Sequence, residues 1–132
     1  MIVAALRSRT GASNALLEHV ARGGLRVLVS TALFLEYEDV MKRPEIRLAT
    51  GMTEADIDAF LAALASAAEA VEVNFQWRPQ LSDPNDELVL EAAVNGRADV
   101  LVTHNVRDFE PATRLFGLRV LLLRDVLMEL RR

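Results

Sequence analysis

No cysteine occurs in the chain, so a disulfide framework and a thiolate metal site are both excluded, and a reducing cytoplasm is the expected compartment. Any metal would have to be held by oxygen or imidazole. Lysine is nearly missing as well: Lys42 stands alone among cations that are otherwise arginines. Arginine's planar fork suits bidentate phosphate contacts, although genomic composition explains the same bias. No apolar run approaches the roughly 20 residues that cross a bilayer. The short apolar run at the start has its arginines after it rather than before it, the reverse of a secretory signal. Repeats, low-complexity tracts, a Gly/Ser linker and a Gly-rich phosphate loop are also lacking. The expectation is a cytoplasmic protein without membrane association, folded as a single domain over residues 1–132. A net charge of −4 speaks against a long basic face for nucleic acid and leaves room for a small active site.

What is present is an ordinary globular composition, 52% hydrophobic and 26% charged, on a chain long enough to bury about two-thirds of its surface. Residues 13–22 carry Leu16, Leu17 and Val20 at helical spacing, Gly23 and Gly24 stop that helix, and residues 25–29 read as a buried strand. Residues 31–42 put Leu33, Tyr37, Val40 and Met41 on one helix face, with Pro44 ending it. Thr53 and Asp56 form a capping sequence ahead of the stripe Ile57, Phe60, Leu61, Leu64 and Ala68. A brief strand is predicted over residues 71–73, then a loop through Trp77, Pro79 and Ser82. A helix over residues 84–95 is stopped by Gly96, strands follow at 99–103 and 118–123, and a last helix spans 124–132. Residues 2–6 are too few to separate strand from helix. This βαβ-like alternation predicts an α/β fold with a mainly parallel sheet and helices on both faces, and with ligands outside the carboxyl ends of the strands.

Polar residues concentrate at the predicted strand ends and helix starts. Ser82-Asp83-Pro84-Asn85-Asp86-Glu87 and Thr103-His104-Asn105-Val106-Arg107-Asp108 should share one rim of the sheet, and Glu36 lies one position off an apolar helix face near the same rim. Convergent carboxylates without cysteine suit Mg²⁺ or Mn²⁺, and such an ion can activate water and neutralise charge in phosphodiester hydrolysis. Plainer roles exist for the same residues. Asp83 suits an N-cap, Pro84 the first helical position, and Asp86 the helix dipole. Glu38 and Asp39 read as a solvated helix face. His19 and His104 have no second histidine at ligand spacing and receive no role, and Trp77 is more often packing than a base-stacking platform.

The segments Leu33 through Pro44, Asp83-Pro84-Asn85-Asp86 and Ala98 through Asn105, in this order and spacing, resemble the PIN-domain family, in particular its branch of toxins from bacterial toxin–antitoxin pairs. The similarity extends over about residues 2–123. It implies a PIN-like three-layer sandwich and a Mg²⁺- or Mn²⁺-dependent cut in single-stranded RNA, with Glu36, Asp86, Asn105 and Asp108 as catalytic residues. Asp86, Glu36 and Asn105 would hold the metal, while Thr103, Ser8, Arg7 and Arg9 would contact substrate. It also implies a cognate antitoxin and a homodimer. Against the family pattern, the first strand and its terminal aspartate are expected to be absent, and asparagine stands at position 105 in place of the usual acid. The alternative is a catalytically impaired PIN-like module that binds an antitoxin or itself, and a third reading by fold analogy is a small anion-binding regulatory domain.

Overall fold

A computed structural model describes residues 2–7, 19–20, 22–76, 78 and 80–130. The predicted helix over 13–22 lies largely outside these residues, although His19 and Val20 within it are helical. Trp77 and Pro79 lie outside them as well.

The described strands are β1 (Ile2–Leu6), β2 (Leu25–Val29), β3 (Glu69–Ala70), β4 (Val100–Thr103) and β5 (Arg119–Leu122). They form one five-stranded sheet in the order β3-β2-β1-β4-β5, with every pairing parallel. The central position of the sheet is filled by Ile2–Leu6, with Ala4 paired to Val27 on one side and to Val100 on the other. Ala4, Ala5 and Leu6 point alternately to the two faces and all three are buried, as are all four residues of β4. A strand buried on both sides requires cover on both faces, which makes three layers. It also shows no period-two signal, which is why residues 2–6 resist assignment from sequence.

The described helices are α1 (Thr31–Lys42), α2 (Pro44–Thr50), α3 (Glu54–Ala67), α4 (Pro84–Asn95), α5 (Glu110–Phe116) and α6 (Leu123–Leu130), with a 3₁₀ turn over Val106–Phe109. Local chemistry explains their starts. The Ser30 hydroxyl accepts from the Leu33 amide at 3.1 Å, Thr53 and Asp56 form a reciprocal capping box, and the Asp83 carboxylate accepts from the Asn85 amide at 2.9 Å. Pro44 terminates α1 as expected and also opens α2 from its first position, a helix not anticipated from sequence. The 3₁₀ turn and α5 were likewise not anticipated from sequence. Phe109 and Ala112, both wholly buried, anchor them.

The predicted strand over 71–73 is corrected to Glu69–Ala70. Its partner sets the limit: Leu28 and Val29 pair with Glu69 and Ala70, and beyond Val29 the chain turns through Ser30 into α1. The Val71 amide still donates to the Val29 carbonyl at 2.9 Å, and residues beyond it have no strand left to pair with. Gly96 follows α4 with φ −87°, so left-handed backbone is not the reason for glycine here. A Cβ at this position would stand 2.6 Å from Leu28 Cδ1 and 2.8 Å from the Ala92 carbonyl oxygen, too close for any larger residue. Among the described residues no helix is long and apolar enough to cross a membrane.

Candidate functional site

From β1 the sheet extends outward in two directions, through β2 to β3 and, after α4, through β4 to β5. The carboxyl end of β1 is therefore the switch point, where parallel sheets open a crevice. Arg7 occupies that end. Its amide donates to the Val102 carbonyl at 2.7 Å, which extends the β1–β4 ladder, and the Tyr37 hydroxyl donates to the Leu6 carbonyl just before it. Tyr37 is buried in the core, and burial drives its phenol well above the ordinary range, so it stays a neutral donor.

Arg7 is only 5% exposed, a position an arginine takes only when paired. Its Nε donates to Asp86 Oδ1 at 2.9 Å, and a terminal nitrogen lies 3.9 Å from Asp83 Oδ2. Asp86 sits in the first turn of α4, itself 4% exposed, where backbone amides and the helix dipole favour an anion. Its carboxyl is nonetheless pushed up. Burial is the largest cause, the hydrogen bond and charge of Arg7 pull the other way, and Asp83 and Asp108 add repulsion. Geometry and titration thus point in different directions. The 2.9 Å contact marks a formed ion pair, and the upward shift means that one guanidinium does not offset burial among several acids.

Glu36 stands beside Tyr37 on α1, at the core boundary as expected. Its Oε1 is buried and finds no hydrogen-bond partner among the described residues. Burial raises its carboxyl above the ordinary 4.5, Arg7 opposes this, Asp39 and Asp83 reinforce it, and Arg43 lowers it. Arg7 is thus the cation felt by both Glu36 and Asp86.

At the end of β4, Thr103 is 2% exposed and its Oγ1 accepts from the Asn105 amide at 3.2 Å, which shapes the turn out of the strand. Asn105 is exposed and leads into the 3₁₀ turn that carries Arg107 and Asp108. A polar cleft of about 590 Å³ opens here, lined by Gln80, Leu81, Ser82, Asp83, Asp86, Arg107, Asp108 and Pro111. Asp86 and Asp108 therefore meet in one cleft with Arg107 beside them, while Glu36 reaches the site through Arg7. Ser8 and Arg9, expected to contact substrate, lie outside the described residues.

The expected metal ligands are Asp86, Glu36 and Asn105. Among the described residues no group of three or more histidine, aspartate or glutamate side chains is set to hold a metal ion. The donors as placed do not fit a bound divalent ion, because the guanidinium of Arg7 holds the Asp86 carboxylate. Arg7 was expected to meet substrate phosphate; its Nε is engaged by Asp86 and its terminal nitrogen lies within ion-pair range of Asp83.

Three residues of α4 received no role of their own from the sequence. Glu87 Oε1 accepts from the Gln80 and Leu81 amides at 2.6 and 2.8 Å. Glu91 takes Arg78 through two nitrogens, each at 2.7 Å. Asn95 accepts from the Asn74 and Phe75 amides and donates back to the Phe75 carbonyl. The signal was their spacing, four residues apart on one stripe of an otherwise apolar helix. Together they fasten the segment that delivers Asp83 and Asp86 to the site.

A family model described as PIN domain matches residues 1–107. The match takes in Arg7, Glu36, Asp86 and Asn105 and ends one residue before Asp108. No curated protein matches the chain.

Proposed function

The chain belongs to the PIN-domain family, which carries nuclease activity in general, and from that premise we propose that it is an endoribonuclease of single-stranded RNA and the toxin of a toxin–antitoxin pair. The observation that supports this most is Asp86: an acid buried in the first turn of α4, at the switch point of a parallel sheet, lining a polar cleft with Asp108 and Arg107. In hydrolysis a water oxygen adds to phosphorus, the bond to a ribose oxygen breaks, and the water's proton must find a base. A carboxylate whose proton affinity burial has raised is suited to take it. Arg107 stands where a phosphate entering the cleft would meet a positive charge.

Mg²⁺ or Mn²⁺ is the proposed cofactor, with a cognate antitoxin and a second copy of the chain as partners in the cytoplasm. Because the donors are not assembled as a cage while Arg7 holds Asp86, no step of the hydrolysis is assigned to the ion. The test is cleavage of a mixed single-stranded RNA by purified protein in Mn²⁺, alongside EDTA and an Asp86→Asn protein prepared identically. Cleavage is expected to vanish in both controls. Activity that survives either would overturn the reading.

A second reading has its own support. With Arg7 bound to Asp86 and a neutral Asn105 at the end of β4, the chain reads as a catalytically impaired PIN-like module that binds an antitoxin or itself. Folded protein that cleaves nothing in Mn²⁺, yet runs as a dimer in light scattering, would favour this reading over the first.

A further inference from the structure

Away from the polar cleft, the sheet has an open edge. Strand β3 pairs with β2 on one side only, and both its residues, Glu69 and Ala70, are exposed. The Val71 amide donates to the Val29 carbonyl, so the alternation of a ladder turns the N–H and C=O of Ala70 to the unpaired side. Free backbone groups on a sheet edge are a template for a further strand. Beside this edge lies an apolar groove of about 250 Å³, lined among others by Phe34 and Leu35 of α1, Ala65 of α3, and Ala68, Ala70 and Val71. Small-molecule pockets begin at about 300 Å³, so the groove suits an aliphatic side chain better than a free ligand. Leu35 on its rim is 56% exposed. The groove shares no lining residue with the cleft around Asp86.

The charge on the edge decides what fits it. Beyond Leu35, Glu38 and Asp39 each meet a cation of their own, Lys42 and Arg43. On the edge itself Glu69 has the half-exposed Arg26 at 3.1 Å, and Glu72 is exposed with no ion-pair partner among the described residues. A second copy is a poor occupant, because antiparallel pairing centred between Ala70 and Val71 would set Glu69 of one copy opposite Glu72 of the other, and like charges directly opposite are destabilising. We infer that the β3 edge takes an extended segment of a partner protein in which aliphatic and basic residues alternate. Its backbone pairs with Ala70, an aliphatic side chain enters the groove, and its basic side chains answer Glu69 and Glu72. Main-chain hydrogen bonds supply affinity in this mode and the groove supplies selectivity. The edge binds such a segment whether or not the cleft cuts RNA.

The probe is a short fluorescein-labelled peptide alternating valine and arginine, titrated with the whole chain and read by fluorescence anisotropy. Saturable binding is expected. The same peptide with glutamate for arginine, or with its valine amides N-methylated, should bind at least about tenfold more weakly, the first for want of charge complementarity and the second for want of ladder donors. Three variants at exposed positions map the site. Ala70→Pro removes the outward N–H and leaves the Val71–Val29 bond in place, which an edge strand tolerates. Ala65→Trp fills the groove. Each should weaken binding about tenfold, and the double variant Glu69→Gln/Glu72→Gln at least about threefold. No saturable binding by the unaltered protein would overturn the inference, as would equal binding of the N-methylated peptide or undiminished binding by folded Ala70→Pro and Ala65→Trp. Should those two variants fail to fold, the glutamate and N-methylated peptides on the unaltered protein decide. A dimer in sedimentation that Ala70→Pro dissociates would make a second copy the occupant and overturn the partner proposed.

Discussion

Glu36 and Asp86 are both carboxylates whose burial works against their charge, yet they differ in what repays it. Asp86 has the Arg7 Nε at 2.9 Å, and Glu36 has only the more distant fields of Arg7 and Arg43 and an oxygen with no donor. A cost of that kind is typical of residues kept for function rather than stability. Glu36→Gln should therefore stabilise the protein at pH 7, by roughly 1 kcal/mol, the scale of one poorly satisfied buried polar group. The pH dependence follows from the direction of the shift. A carboxyl raised above 4.5 binds its proton more tightly in the folded state, so its relative contribution is present at acid pH and lost as pH rises through the folded value. The advantage of Glu36→Gln should be largest at neutral pH and shrink toward pH 4 in paired thermal melts. An advantage independent of pH would remove the electrostatic explanation.

Within the helices, the legible features were those written in a few adjacent residues. The Thr53–Asp56 box and the Asp83–Pro84 start each satisfy backbone amides within one turn, and both helices begin where those residues indicate, while the cap that Ser30 supplies to α1 emerged only from the structure. The stripe of Glu87, Glu91 and Asn95 was harder to read, because its partners are backbone amides and the Arg78 side chain of a loop whose path only the fold supplies. Glu87→Ala would leave the Leu81 amide, in a buried residue, without its acceptor, at a cost of about 2 kcal/mol. Hydrogen exchange at Leu81 should accelerate well beyond that at Val89 in the middle of α4. Equal acceleration at both would mean that the whole helix, not the loop, depends on Glu87. Strand β3 failed for a different reason: alternation at Val71 and Val73 was real, but β2 ends at Val29, so only the Val71 amide still reaches it.

For the whole molecule, the α/β class and the parallel sheet followed from the alternation of segments, whereas the position of β1 and the Arg7–Asp86 pair did not. That pair joins residues 79 apart in sequence, and no local pattern points from one to the other. The same long-range arrangement predicts how the molecule opens. Strand β1 is paired on both sides and buried on both faces, and through it each half of the sheet is tied to the other. Strand β3 has two exposed residues at the edge. Native-state hydrogen exchange should accordingly place Ala5 and Leu101 among the last amides to exchange, with the free energy of global unfolding, and Ala70 far earlier through local opening. Ala5→Leu should then lower stability by about 1–3 kcal/mol, since a wholly buried alanine between covered layers has no room for added volume. If Ala5 exchanged as early as Ala70, β1 could not be the strand that joins the two halves, and the position of Arg7 at the switch point would lose its support.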